Sequence, residues 1–333
     1  EIGQMTDAPA SPTPAVRGRR SLAAMLLAGL FATPAAVLAG EGGTTHVIPG
    51  AMATLADNPP ADGPLTFMKP MYLHYSGSAT VPIPTAAGLV GNLEATSNGI
   101  ALTAGHAFGT KVLRGATYTV AVALPYNWLD VSGDLQTPSG NTVRRLQNSV
   151  SGFGDVTLIP AMLAWEADHW QINALLPVYA PTGSYETGRL GNPGLNYWTF
   201  DPTVGVVYSN PKSGFNGLLH VGYAMNTENS ATNYRSGDLL HFEGALQQAL
   251  PVGAGYMTLG AEGFYFQQTT CDSGAGATLG CFEGRTAGIG PVLGYIQPMG
   301  ERTLLFELKW LPELDTKKRL DGDYIWLKMV YKL

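Results

Sequence analysis

Residues 322–333 read Gly-Asp-Tyr-Ile-Trp-Leu-Lys-Met-Val-Tyr-Lys-Leu. Ile325, Leu327, Met329, Tyr331 and Leu333 share one parity, and Tyr324, Trp326, Lys328, Val330 and Lys332 share the other. Successive side chains of a strand point to opposite faces, so one face is wholly apolar while the other carries the lysines. The stretch ends on an apolar residue, whereas the termini of soluble domains usually fray. This is the pattern expected of a strand that closes a barrel in a lipid bilayer.

Composition permits that reading without deciding it. Charged residues make up 13% of the 333-residue chain, about half the share of ordinary soluble domains. Glycine (42) and tyrosine (15) are abundant, and the net charge of -6 offers no basic face for nucleic acid. Beyond the N-terminal segment, no apolar run is long enough to cross a bilayer as a helix. A soluble all-β protein would share these features.

The N-terminal region reads as an export signal. Arg17, Arg19 and Arg20 precede an apolar stretch over residues 22–38, with a cleavage-like site before Gly40. A membrane anchor is the weaker alternative, because the apolar run is short and contains Pro34. Arg19-Arg20 only partly matches a twin-arginine signal. The chain therefore divides into a leader and signal peptide over 1–39, a Gly/Pro/Ala-rich periplasmic arm or lumen plug over 40–66, and a barrel over 67–333. In an exported protein Cys271 and Cys281, within one Gly-rich segment, read as a disulfide closing a loop.

Segments of tilted-strand length follow. They are 67–77, 101–112, 117–130, 152–165, 169–180, 196–209, 215–227, 237–249, 254–268, 284–297, 301–312 and 322–333. Twelve is an even number, as bacterial barrels require. Leu240, Phe242 and Leu246 oppose His241, Glu243 and Gln247, and Leu304, Phe306, Leu308 and Trp310 oppose Thr303, Glu307 and Lys309. Lys or Arg on a lipid face at mid-bilayer costs about 2–4 kcal/mol, and these charges keep to the polar parity.

A soluble sandwich can also alternate, but the connections discriminate. Read backwards they alternate long (312–321, 268–283, 227–236, 181–195, 131–151) and short (297–300, 250–253, 210–214, 166–168). Short periplasmic turns and long external loops are the outer-membrane pattern. It puts both termini in the periplasm and the cysteines outside the cell. Trp128, Trp165, Trp170, Trp198, Trp310 and Tyr324 fall near strand ends, as interfacial girdles require.

An ordered series of motifs adds a resemblance. Gly154-Asp155-Val156 is followed by Ala180-Pro181-Thr182-Gly183-Ser184-Tyr185, then by Asn196-Tyr197-Trp198-Thr199-Phe200-Asp201-Pro202. Thr232-Asn233-Tyr234-Arg235-Ser236-Gly237-Asp238 and Gly288-Ile289-Gly290-Pro291 come after, with His46-Val47-Ile48-Pro49-Gly50 upstream. The series resembles the MetA-pathway of phenol degradation family of outer-membrane transporters over roughly residues 44–333. The resemblance implies a barrel that passes hydrophobic or aromatic compounds, and it assigns no site residue. The terminal Leu333 departs from the Phe more common in such barrels.

His241, Glu243, Glu262, Glu307, Lys309, Trp326 and Lys328 are the candidate lumen and permeation residues. The charged members would form a selective constriction or, more simply, a paired network that stiffens the wall. His241 with Glu243 lacks the further ligand or nucleophile that metal or acid–base chemistry needs. Trp326 is an apolar side chain on the polar parity and so a candidate contact for aromatic solutes. No catalytic set, metal or cofactor is expected. The reading is a transmembrane antiparallel up-and-down β-barrel, all-β, of about twelve strands in a bacterial outer membrane. Its partners are lipid and small hydrophobic or aromatic solutes. A barrel-embedded hydrolase and a structural barrel with a filled lumen are the alternatives.

Overall fold

A computed structural model of the chain describes residues 45–82, 90–137, 139–277, 281 and 283–333. The expected export signal over 1–39 lies outside these residues, as does the start of the arm. The strands are β1 (Leu65–Pro82), β2 (Val90–Val112), β3 (Ala116–Gln136), β4 (Thr142–Phe153), β5 (Val156–Ala167), β6 (Trp170–Leu175), β7 (Val178–Ala180) and β8 (Thr199–Phe200). They continue with β9 (Thr203–Asn210), β10 (Phe215–Asn226), β11 (Leu239–Val252), β12 (Gly255–Gln268), β13 (Arg285–Met299), β14 (Arg302–Lys317) and β15 (Asp321–Lys332).

These fifteen strands build twelve staves. β4 with β5, β6 with β7, and β8 with β9 each form one stave interrupted by two residues. Every stave pairs antiparallel with its sequence neighbour, and β1 pairs with β15 to close the barrel, Leu73 lying opposite Trp326. Closure leaves no sheet edge with unpaired backbone groups, the condition a sheet must meet to sit in hydrocarbon.

The parity of the last strand sorts the two faces. Ile325 and Leu327 are exposed on the outside, alongside Phe306, Leu308 and Trp310 of β14 and Leu293 of β13. Tyr324, Trp326, Lys328 and Val330 are buried inside. The outward apolar belt recurs around the barrel, in Ile100, Leu124, Leu158, Ile172, Val204, Leu219, Leu246 and Leu259. An apolar surface this extensive marks a non-aqueous environment or a partner. Among the described residues no helix is long and apolar enough to cross a membrane, and barrels cross with strands.

Strand boundaries depart from the sequence expectation at one end of the barrel. Residues 131–151 do not form a long loop: β3 and β4 run on through them and turn only at 137–141. Residues 312–321 likewise belong largely to β14 and β15. The strand expected to begin at 101 begins at Val90. Pairing along the neighbouring strand carries these polar stretches in extended form, although their composition resembles loop. The long connections that remain, 181–198, 227–238 and 269–284, all lie at this end. The third contains the disulfide between Cys271 and Cys281.

Candidate functional site

Residues 45–62 run through the barrel interior without joining the sheet. Where they go is fixed by hydrogen bonds to inward-facing side chains on staves all round the wall. Val47 is fully buried in a cluster with Phe264, Phe266, Leu311, Tyr324 and Trp326. The Trp326 indole N–H donates to the Pro49 carbonyl at 2.9 Å. Gly50 passes so close to that indole that a Cβ there would sit 2.5 Å from Nε1, and its φ of +86° also favours glycine. Further along, the Leu55 amide donates to Gln247 Oε1 at 2.9 Å, and Ala56 packs on Leu305 and Val330. The Gln171 amide donates to the Pro59 carbonyl, and the Asn173 amide to Asn58 Oδ1.

The electrostatic centre is Asp57. Its Oδ1 lies 2.7 Å from Lys328 Nζ and 3.0 Å from Lys69 Nζ, and its Oδ2 lies 3.2 Å from Lys309 Nζ. Burial pushes the Asp57 carboxyl up, but Lys309, Lys328 and Lys69 outweigh it and hold the group well below the usual carboxylate range. Lys309 also pairs with Glu262 at 2.7 Å and Glu307 at 3.5 Å. Glu243 Oε2 accepts the Gly50 and Met52 amides at 2.9 and 3.3 Å. The Thr54 hydroxyl lies 2.8 Å from both Asp57 and Glu307. Isolated charges cannot be buried at acceptable cost, so lysines and carboxylates come together as one network.

The lysines differ in what they would keep if residues 45–62 left. Lys309 would retain Glu262 and Glu307 on the wall. Among the described residues, every hydrogen-bond and ion-pair partner of Lys328 belongs to residues 50–57, and the sole ion-pair partner of Lys69 is Asp57. Lys328 also lies over the Trp326 ring, 5.1 Å from its centroid.

At the start of the described segment, His46 donates or accepts through both ring nitrogens, at 2.7 Å to Thr199 Oγ1 and 2.9 Å to Asp155 Oδ2. It stacks on Tyr179 at 4.9 Å. Asp155 holds the amides of Gly183 and Leu195 as well. Asp155 lies in the 154–155 interruption between β4 and β5, while Tyr179 and Thr199 belong to the short strands β7 and β8. Thr199, His46 and Asp155 have the order of a nucleophile, base and orienter, but Thr199 is fully buried and donates to Asn226, so no nucleophile is presented.

All seven sequence candidates face inward and are buried: His241, Glu243, Glu262, Glu307, Lys309, Trp326 and Lys328. Six of them surround residues 45–57 or each other. His241 stands apart, 2.9 Å from Asp201 and tilted against Phe266. Of the other aromatics, Phe264 and Phe266 are buried inside, while Trp198, Phe200 and Tyr265 are exposed. Sequence reasoning missed Asp57, Lys69, His46 and Asp155. The available signal was charge on the inward parity: Lys69 shares it with Phe67 and Leu73, and the arm offers an acid.

A closed antiparallel barrel with an apolar exterior and a charged, chain-filled lumen is a transmembrane β-barrel of the bacterial outer-membrane type. The chain belongs to the family described as putative MetA-pathway of phenol degradation, whose model matches residues 76–329. Among solved structures, it is similar to an outer membrane channel from Pseudomonas putida F1, with 17% identity, a TM-score of 0.60, and coverage of 86% of this chain and 100% of that one. The transport unit of the autotransporter AIDA-I from Escherichia coli shows 10% identity and a TM-score of 0.47, covering 90% of this chain and 97% of that one. No curated protein matches the sequence.

Proposed function

We propose that this chain is an outer-membrane channel for small hydrophobic or aromatic compounds, closed in the observed state by residues 45–62. The short-turn end faces the periplasm in this reading, together with the start of β1 and the end of β15. The observation that carries it is how the lumen is filled. The occupying segment contributes no strand to the sheet and is held by side-chain hydrogen bonds, ion pairs and the burial of Val47. Displacing it leaves the barrel's own ladder intact. The interior it vacates would have an aromatic wall, Phe264, Phe266, Tyr324 and Trp326, beside a charged one. The family and the similarity to a solved outer membrane channel support the reading.

A structural barrel with a permanently filled lumen is the second reading, and the same occupancy favours it. A cysteine pair at Ala56 and Val330, which pack together, separates the two. In proteoliposomes the channel reading expects conductance and solute uptake that vanish on oxidation of the pair and return on reduction. If neither redox state conducts, nor does a variant lacking residues 45–57, the barrel is structural.

A further inference from the structure

Residues 45–57 occupy two adjoining subsites as one molecule would. Val47 fills an apolar pocket walled by Phe264, Phe266, Leu311 and Tyr324, with Trp326 on its border. Asp57 places a carboxylate on Lys69, Lys309 and Lys328. The subsites abut, because Lys328 lies 5.1 Å from the centroid of the Trp326 ring. We propose that this pair of subsites is the permeant-binding site, that its ligand is a small amphipathic carboxylate with an aromatic or aliphatic body, and that the 45–57 segment is its built-in stand-in. The inference rests on the channel reading and names the solute class.

Lys328 is fully buried, and the Lys69 side chain is only 14% exposed. Among the described residues neither has a wall carboxylate within ion-pair distance. Departure of the segment would take away the carboxylate that both ammonium groups contact, leaving Lys328 only Glu307 across the strand pair, a state of high cost until another anion arrives. A carboxylate accepts several charge-assisted hydrogen bonds at once, as Asp57 does from three lysines. Glu262 and Glu243 lie further round the wall, on β12 and β11, whereas Glu307 sits beside Lys309 on β14 and across from Lys328 on β15. A neutral phenol or alcohol would gain the aromatic subsite alone. An amine would meet the lysines.

The test uses the full chain in detergent and in planar bilayers, with 3-phenylpropionate, 3-phenylpropanol and 3-phenylpropylamine as probes. Calorimetric binding is measured on the wild type, on Asp57→Asn, and on Asp57→Asn combined with Lys328→Met or with Lys69→Met. Lys69→Met is the milder change and serves if Lys328→Met fails to assemble. Heat-modifiable migration identifies folded barrel. The expectation is that Asp57→Asn binds the carboxylate at least about tenfold more tightly than the alcohol, the worth of one charged hydrogen bond. The wild type should bind it more weakly, since Asp57 competes at high effective concentration, and either lysine change should abolish the preference. Equal affinity for the three probes, or a preference that survives both lysine changes, overturns the inference. Ion conductance of the same variants judges the channel separately: conductance without carboxylate preference removes only the ligand class, whereas absent conductance in all variants removes the channel.

Discussion

Asp57→Asn is the most informative single change. Among the described residues it removes the one anion within ion-pair distance of Lys69 and Lys328, while the amide keeps nearly the same shape. Breaking a buried ion pair from one side costs about 3–5 kcal/mol. The asparagine amide still accepts a hydrogen bond, so the lower end, about 3 kcal/mol, is the working value. The barrel ladder is untouched, so the cost falls on the seated state of residues 45–62. At about tenfold per 1.4 kcal/mol, the ratio of seated to displaced segment falls by roughly 150-fold. Single-channel recording should show a comparable rise in open probability, and limited proteolysis should cut within 45–62 in the variant before the wild type. A folded, heat-modifiable Asp57→Asn barrel with unchanged gating and protection would refute the claim that this carboxylate latches the segment. The pH dependence follows with a definite sign. Asp57 has its folded pKa depressed, so its contribution is full above the unfolded value of about 3.9 and is lost as pH falls through the folded value. Wild-type gating should therefore not respond to Asp57 between neutrality and about pH 4, and should loosen only below that.

Other sites respond differently. Leu327→Lys puts a charge on the outward face at a position 51% exposed, at a cost of about 2–4 kcal/mol near the bilayer midplane; yield of heat-modifiable protein should drop sharply, whereas Lys328 is tolerated one residue away because it points inward. Gly50→Ala places a Cβ 2.5 Å from the Trp326 indole nitrogen and 2.7 Å from Leu311, at a φ of +86°; the segment should unseat while the barrel assembles, read as raised conductance and altered tryptophan fluorescence. Replacing both Cys271 and Cys281 by Ser frees the 269–284 loop at a local cost of up to about 3 kcal/mol. The barrel should still form, and the start of the loop should stay anchored through Asp272, which takes hydrogen bonds from Tyr234, Gly237 and Gln268; proteolysis should then become faster near residue 281 and not near 272.

The sequence by itself determined the wall. A period of two assigns each side chain to a face, so Ile325 and Leu327 could be placed outside and Trp326 and Lys328 inside from the sequence. The same rule put Glu243, Glu262, Glu307 and Lys309 in the lumen, and turn composition marked most strand ends. It failed where polar, loop-like residues such as those of 131–151 extend a strand, because pairing with a neighbour overrides composition. The tertiary structure alone decided what fills the lumen. Residues 45–62 have no periodicity, and their partners are far along the chain: Asp57 and Lys328 are 271 residues apart. No local pattern encodes such a pairing. It exists because closing the barrel brings buried lysines round a space that must supply their counter-charge.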